Sequence, residues 1–109
     1  MSKSSPYYPP QESKILSGRV AADGTKISGA GFQSSRVSLG IYLVTFDTPL
    51  ANSLYSVVAQ PIRSAGSDDY NARAYNISNT GFNIRTDEQD NGNPAGILRD
   101  TEFSIIIIK

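Results

Sequence analysis

The chain has neither cysteine nor histidine among its 109 residues. Without cysteine there is no disulfide, no thiolate zinc site and no thiol nucleophile. Without histidine the usual general base near neutral pH and the commonest metal ligand are missing too. An enzyme would have to work with carboxylates, lysine or tyrosine, so a non-enzymatic protein with no metal or cofactor is expected. Charge of one sign is also lacking, because ten Lys and Arg balance ten Asp and Glu. That argues against a nucleic-acid or anionic-membrane partner reached through bulk electrostatics. The longest apolar run is Ile105 to Ile108, far below the roughly 18 to 20 residues of a membrane span. The opening "MSKSSPYYPPQES" has no apolar h-region, so no secretory signal is expected.

What the sequence does have is β-strand text. Its length suits one domain with a modest core. Residues 1–13, with Pro6, Pro9 and Pro10 beside Tyr7 and Tyr8, read as an extended arm. Either the arm is a loose tail, or its tyrosines pack on a neighbouring subunit or a larger assembly. Residues 14–109 form the β domain. Asp23-Gly24 between two short segments is the pair a type I′ hairpin favours. Strands are expected over "GIYLVTF" (Gly40 to Phe46), "LYSVVAQ" (Leu54 to Gln60), "YNARAYNI" (Tyr70 to Ile77), "FNIRT" (Phe82 to Thr86) and Thr101 to Lys109. Pro49 and Pro61 break the first two, "SNTG" turns, and "DEQDNGNPAG" reads as a polar loop. No apolar residues recur at helical spacing. Short strands at spacings near ten residues imply an all-β antiparallel sandwich or jelly roll. The expected core is Tyr42, Val44, Phe46, Tyr55, Val57, Phe82, Ile84, Phe103, Ile105 and Ile107, with Gly40 and Gly81 at strand starts and turns.

Two of these strands are apolar on both sides. Ile41 and Leu43 oppose the core-facing Tyr42, Val44 and Phe46, while Ile106 and Ile108 oppose Phe103, Ile105 and Ile107. In a sandwich only one face of each sheet meets the core. Leaving the second face in water forgoes roughly 1.5 to 3 kcal/mol per side chain and makes a sticky patch. The chain's own arm or loops, or sister copies, have to cover it. Sister copies are the expected answer, giving a homo-oligomer with Ile41, Leu43, Ile106 and Ile108 at the interface.

The order of "SGAGFQSSRVSLGIYLVTFDTPL", "LYSVVAQP", "NTGFNIRT" and "DTEFSIIII" resembles the small C-terminal head domains of bacteriophage tail fibres and related virion proteins. The pattern is G-x-Y-x-V-x-F-x-x-x-L from Gly40 to Leu50, followed by the Y-x-V of Tyr55 and Val57. A Gly-Phe strand then starts at Gly81, and a closing strand follows from Asp100. The resemblance covers about residues 14–109. It implies a β-sandwich head, usually a homotrimer, located in the virion and contacting a host-surface glycan or protein. Lacking a shaft repeat or trimerising stem, the chain would be a stand-alone head joined to other virion proteins through residues 1–13. A purely structural decoration or connector protein that binds no receptor is the alternative.

Glycan binding needs aromatic platforms and planar donors. Tyr70, Arg73, Tyr75, Asn76 and Arg85 offer these near the expected loop ends. The plainer reading is that Tyr70, Ala72, Ala74 and Asn76 define one sheet face, opposite Asn71, Arg73 and Tyr75. Arg19, Arg36 and Arg63 read as solvated or paired surface charges. The acidic stretches "GSDDY" (Gly66 to Tyr70) and "TDEQDNGN" (Thr86 to Asn93) lack the spacing of a calcium loop and read as solvated turns. Asp87 with Glu88 or Asp90 as a hydrolytic carboxylate pair has no apolar pocket to support it.

Overall fold

The structure, a computed structural model, describes residues 15–62, 70–90 and 93–109. The expected arm at residues 1–13, Arg63 and the acidic stretch before Tyr70 lie outside the described residues. Nine strands follow one another: β1 (Ile15–Val20), β2 (Lys26–Gly29), β3 (Phe32–Ser38), β4 (Ile41–Phe46), β5 (Ser56–Pro61), β6 (Tyr70–Ser78), β7 (Gly81–Asp90), β8 (Asn93–Leu98) and β9 (Phe103–Ile108). They form two antiparallel sheets packed together, compatible with a β-sandwich. Sheet A runs β2-β1-β9-β5. Sheet B runs β3-β4-β7-β6, with β8 also paired to β7.

The strict alternation of β4 and β9 gives the core. Tyr42, Val44 and Phe46 of β4 face Phe103, Ile105 and Ile107 of β9 across the sandwich, all of them buried. Phe82 and Ile84 of β7 complete that layer, and the Tyr42 and Phe103 rings meet edge-on at 4.9 Å between centroids. Tyr55 and Val57 pack against this cluster from its margin, only partly buried. The sequence reading missed Val20 and Phe32, both fully buried.

Phe32 opens β3, a strand that the expectation left out because "FQSSRVS" carries almost no apolar residues. β3 is an edge strand, held by its ladder to β4, with Phe32 opposite Phe46 and Ser34 opposite Val44. Its one buried apolar side chain, Phe32, needs room in sheet A, and Gly18 supplies it. A Cβ on Gly18 would lie 2.6 Å from the Phe32 ring.

Three further expectations are corrected. Asp23-Gly24 does not make a type I′ turn, since only Gly24 has positive φ, at 94°. The connection runs instead from Ala21 to Thr25, with Gly24 N donating to Ala21 O and Thr25 N donating to the Asp23 carboxylate. Leu54 stands outside β5 and is 84% exposed, while Pro61 is the last residue of that edge strand. Finally, "DEQDNGNPAG" is not a loop throughout. β7 continues to Asp90, and β8 returns beside it with Leu98 opposite Asp87 and Ile97 opposite Glu88.

β8 occupies the side of β7 that β4 leaves free. Residues 81–85 of β7 pair with β4, and residues 87–90 pair with β8. Gly40 sits at the junction with φ 69°, its carbonyl accepting from Thr86 N. A Cβ there would come within 2.6 Å of the Thr86 carbonyl oxygen. Asp100 ties the same corner, accepting from Gly40 N at 2.7 Å and from Arg36 Nε at 2.8 Å. Burial works against the Asp100 anion, but these two donors outweigh it and hold the carboxyl below the usual range. Tyr42 places its ring in the core and its hydroxyl on the Ala22 carbonyl, and burial pushes its pKa up.

Candidate functional site

The outer face of sheet B gathers the polar and aromatic groups singled out from the sequence. Ladder register sets the rows. Leu43 on β4 stands beside Asn83 on β7, which stands beside Tyr75 on β6. In the next row Ile41 is followed by Arg85 and then Arg73. Asn71 and Asp87 come after them. Alternation along each strand turns all these residues away from the core, whose β7 members are Phe82, Ile84 and Thr86.

Asp87 is the buried centre of this face, at 2% exposure. Its Oδ2 accepts from Arg85 Nε at 2.8 Å and from Arg73 Nη2 at 3.1 Å. Its Oδ1 accepts from the Asn71 amide at 3.2 Å. Gly96 of β8 lies over the carboxylate, since a Cβ there would stand 3.3 Å from Asp87 Cγ. The expectation of a solvated acidic turn is therefore wrong at this residue. The arginines explain why, because a carboxylate can be buried when charged donors replace its water. Arg73 and Arg85 are directly opposed in the ladder, an unfavourable pair of like charges that the shared anion offsets. Two guanidiniums share the Asp87 carboxylate. Glu88, the next residue along, pairs with Arg99 at 3.1 Å.

Of the five expected binding residues, four share this face or its edge. Arg73 and Tyr75 project from β6, both exposed. Arg85 lies half-covered beside Asp87. Asn76 follows Tyr75 at a bulge, with φ 55°, the one non-glycine residue in that region among the described residues. Its amide donates to Asn83 Oδ1 at 3.1 Å, and the Asn83 amide donates to the Tyr42 carbonyl. Tyr70 is the exception. It alternates with Asn71 to the other side of β6 and is half-buried with Ala72 and Ala74. Asn71 and Asn83 are site residues that the sequence reading missed. Asp87 was recognisable in principle, since it stands two residues after Arg85 and shares its face once β7 is extended.

The proposed interface residues separate. Ile41 and Leu43 lie on the outer face of sheet B, beside the arginines and Tyr75. Ile106 and Ile108 lie on the outer face of sheet A, where Ile106 pairs with Ser17 and Val58 and Ile108 with Ile15 and Ser56. They are not one patch, because β4 and β9 belong to different sheets. Leu43 is 40% exposed and Ile106 41%, with Ile15 and Val58 more open still. A single flat contact cannot cover both pairs.

Along the side of the sandwich where β5 faces β6 runs a groove of about 530 Å³, floored by Val57, Ala59, Ala72 and Ala74 with Arg73 on its rim. Among the described residues no three of His, Cys, Asp and Glu come together to hold a metal. Asp87 and Glu88 point to opposite sides of β7, so they do not converge on a common substrate. No family model, no curated protein and no solved structure matches the chain.

Proposed function

We propose that the chain is a non-enzymatic head domain of a trimeric phage fibre or spike, carried in the virion, that recognises a host-surface glycan through the outer face of sheet B. The grouping of Arg73, Tyr75, Asn76 and Arg85 on one open sheet face supports this reading. It offers fixed guanidinium and amide donors next to an aromatic ring, with Leu43 and Ile41 as apolar floor. The outer face of sheet A then turns toward the symmetry axis, and Ile15, Val58, Ile106 and Ile108 meet sister copies. In that division Ile41 and Leu43 serve the ligand rather than the subunit contact.

The test combines sedimentation with a glycan array on the intact chain. The expected result is a mass several times 11.7 kDa, reduced by Ile106→Lys, and saturable glycan binding lost in Tyr75→Ala. A lone 11.7 kDa species at micromolar concentration would remove the oligomer. A silent array would remove the recognition role.

One observation favours a second reading, the purely structural virion component. Ile41 and Leu43 lie among the same polar groups, so sheet B can also pack on another protein. In that case the array stays silent, and removing residues 1–13 blocks incorporation into particles.

A further inference from the structure

A second pocket, of about 430 Å³, opens at the end of the sandwich where the chain crosses from β4 to β5, and Pro49, Leu50, Leu54, Tyr55 and Lys109 are among its lining. Its walls are held in place. Leu50 packs on the core, and its N–H donates to the Asn79 carbonyl at 2.8 Å. The Asn52 side chain accepts from Leu54 N at 2.7 Å, a local turn that leaves Leu54 84% exposed. No other large apolar side chain among the described residues is as open. Tyr55 donates its hydroxyl to the Ser78 carbonyl at 2.8 Å and meets the Phe46 ring edge-on. Fixed leucine, proline and tyrosine walls of this size suit an apolar or aromatic guest.

The chain carries such a guest beside the pocket. Ile15 pairs with Ile108, and Ile108 pairs with Ser56. β1 therefore begins two strand spacings from β5, about 10 Å. Lys109 and Tyr55, the chain neighbours of Ile108 and Ser56, both line the pocket. Residues 11–14 can span up to about 13 Å, enough to bring "PYYPP", Pro6 to Pro10, to its mouth. The described neighbours of residues 63–69 and 91–92 stand at the opposite end, where Pro61 pairs with Phe103 and Tyr70 with Glu88. The segment before Ile15 is the one tethered next to the pocket.

We propose that Pro6 to Pro10 docks in this pocket of its own chain, with prolines and a tyrosine ring against Leu54 and Tyr55. The spacing P-x-x-P puts Pro6 and Pro9 on one edge of a three-residue-per-turn extended helix, the form that aromatic-lined grooves take up. Proline fixes φ in advance, so less freedom is lost on docking. The short link supplies an effective concentration on the order of millimolar, so a contact too weak between separate molecules closes within one. Docking also takes Leu54 out of water. This contact goes beyond the recognition reading and does not depend on what sheet B binds.

The experiment attaches a nitroxide at Ser4→Cys, a single thiol in a chain without cysteine, and follows the isotope-labelled full chain by amide NMR. The expected result is loss of signal at residues 48–55, while residues 23–25 at the other end keep theirs. Leu54→Glu restores the lost signals, as does Tyr7→Ser combined with Tyr8→Ser. Leu54 is so exposed that its replacement spares the core, and an unchanged β7 spectrum checks this. Chains carrying the nitroxide are also co-refolded with isotope-labelled chains that lack it, and here no loss is expected. Signals at 48–55 untouched by the nitroxide overturn the inference. Loss that persists in both variants overturns it too, because proximity alone then explains the effect. Loss in the co-refolded mixture overturns it in favour of the arm of a sister copy.

Discussion

Arg85 Nε donates to Asp87 Oδ2 at 2.8 Å from two positions back along the same strand. Arg73, directly across the ladder from Arg85, reaches the same oxygen from β6. Neighbouring residues on a strand face are thus tied along the chain and across it by one anion.

Asp87→Asn keeps the shape and removes the charge. The two opposed arginines then lose the carboxylate they share, and the buried amide replaces it only weakly. We expect a loss of about 1 to 3 kcal/mol in urea unfolding, partly restored by adding Arg85→Gln and by higher salt. An unchanged midpoint would mean that the cluster carries no structural weight.

Gly40→Ala tests the junction of β4, β7 and β8. The left-handed backbone costs a non-glycine residue roughly 1 to 2 kcal/mol, and the added Cβ meets the Thr86 carbonyl at 2.6 Å. The denaturation midpoint should fall by more than the backbone cost alone, with its slope unchanged. A wild-type midpoint would show that this corner yields easily.

Stability should decline at both ends of the pH scale, for different groups. Asp100 has a lowered carboxyl pKa in the fold, through Gly40 N and Arg36 against the pull of burial. Its contribution is present above the unfolded value near 4 and is lost as pH falls through the lower folded value. Asp100→Asn should flatten that acid limb. Tyr42 and Tyr55 have raised pKa values, chiefly from burial. Their contribution is full below about pH 10 and is lost as pH rises through the higher folded values. Tyr42→Phe should move the alkaline transition, as followed by circular dichroism.

The alternation of Tyr42, Val44 and Phe46 and of Phe103, Ile105 and Ile107 made the two central strands and most of the core readable from the sequence. Period-two burial is a local signal that leaves a direct mark on the residue order. β3 and β8 left no such mark. β3 contributes one buried aromatic and is held by its neighbour, and β8 is rich in residues that usually turn. Both depend on pairing partners that a linear reading cannot supply. The same limit applied to the site. Arg73, Tyr75 and Arg85 were recognisable by type, but their meeting around Asp87 depends on ladder register. Register likewise decides that Ile41 and Ile106 lie on opposite sides of the protein.

β9 lies between β1 and β5, with Gly18 on one side of Ile105 and Ala59 on the other. During synthesis, β1 and β5 therefore leave the ribosome long before the strand that joins them exists. A nascent chain stopped short of Phe103 lacks half the core aromatic contact with Tyr42 and every rung of that central ladder. Folding of this domain must wait until translation of Phe103–Ile108 is complete, and until then the unpaired strand edges are for chaperones to shield.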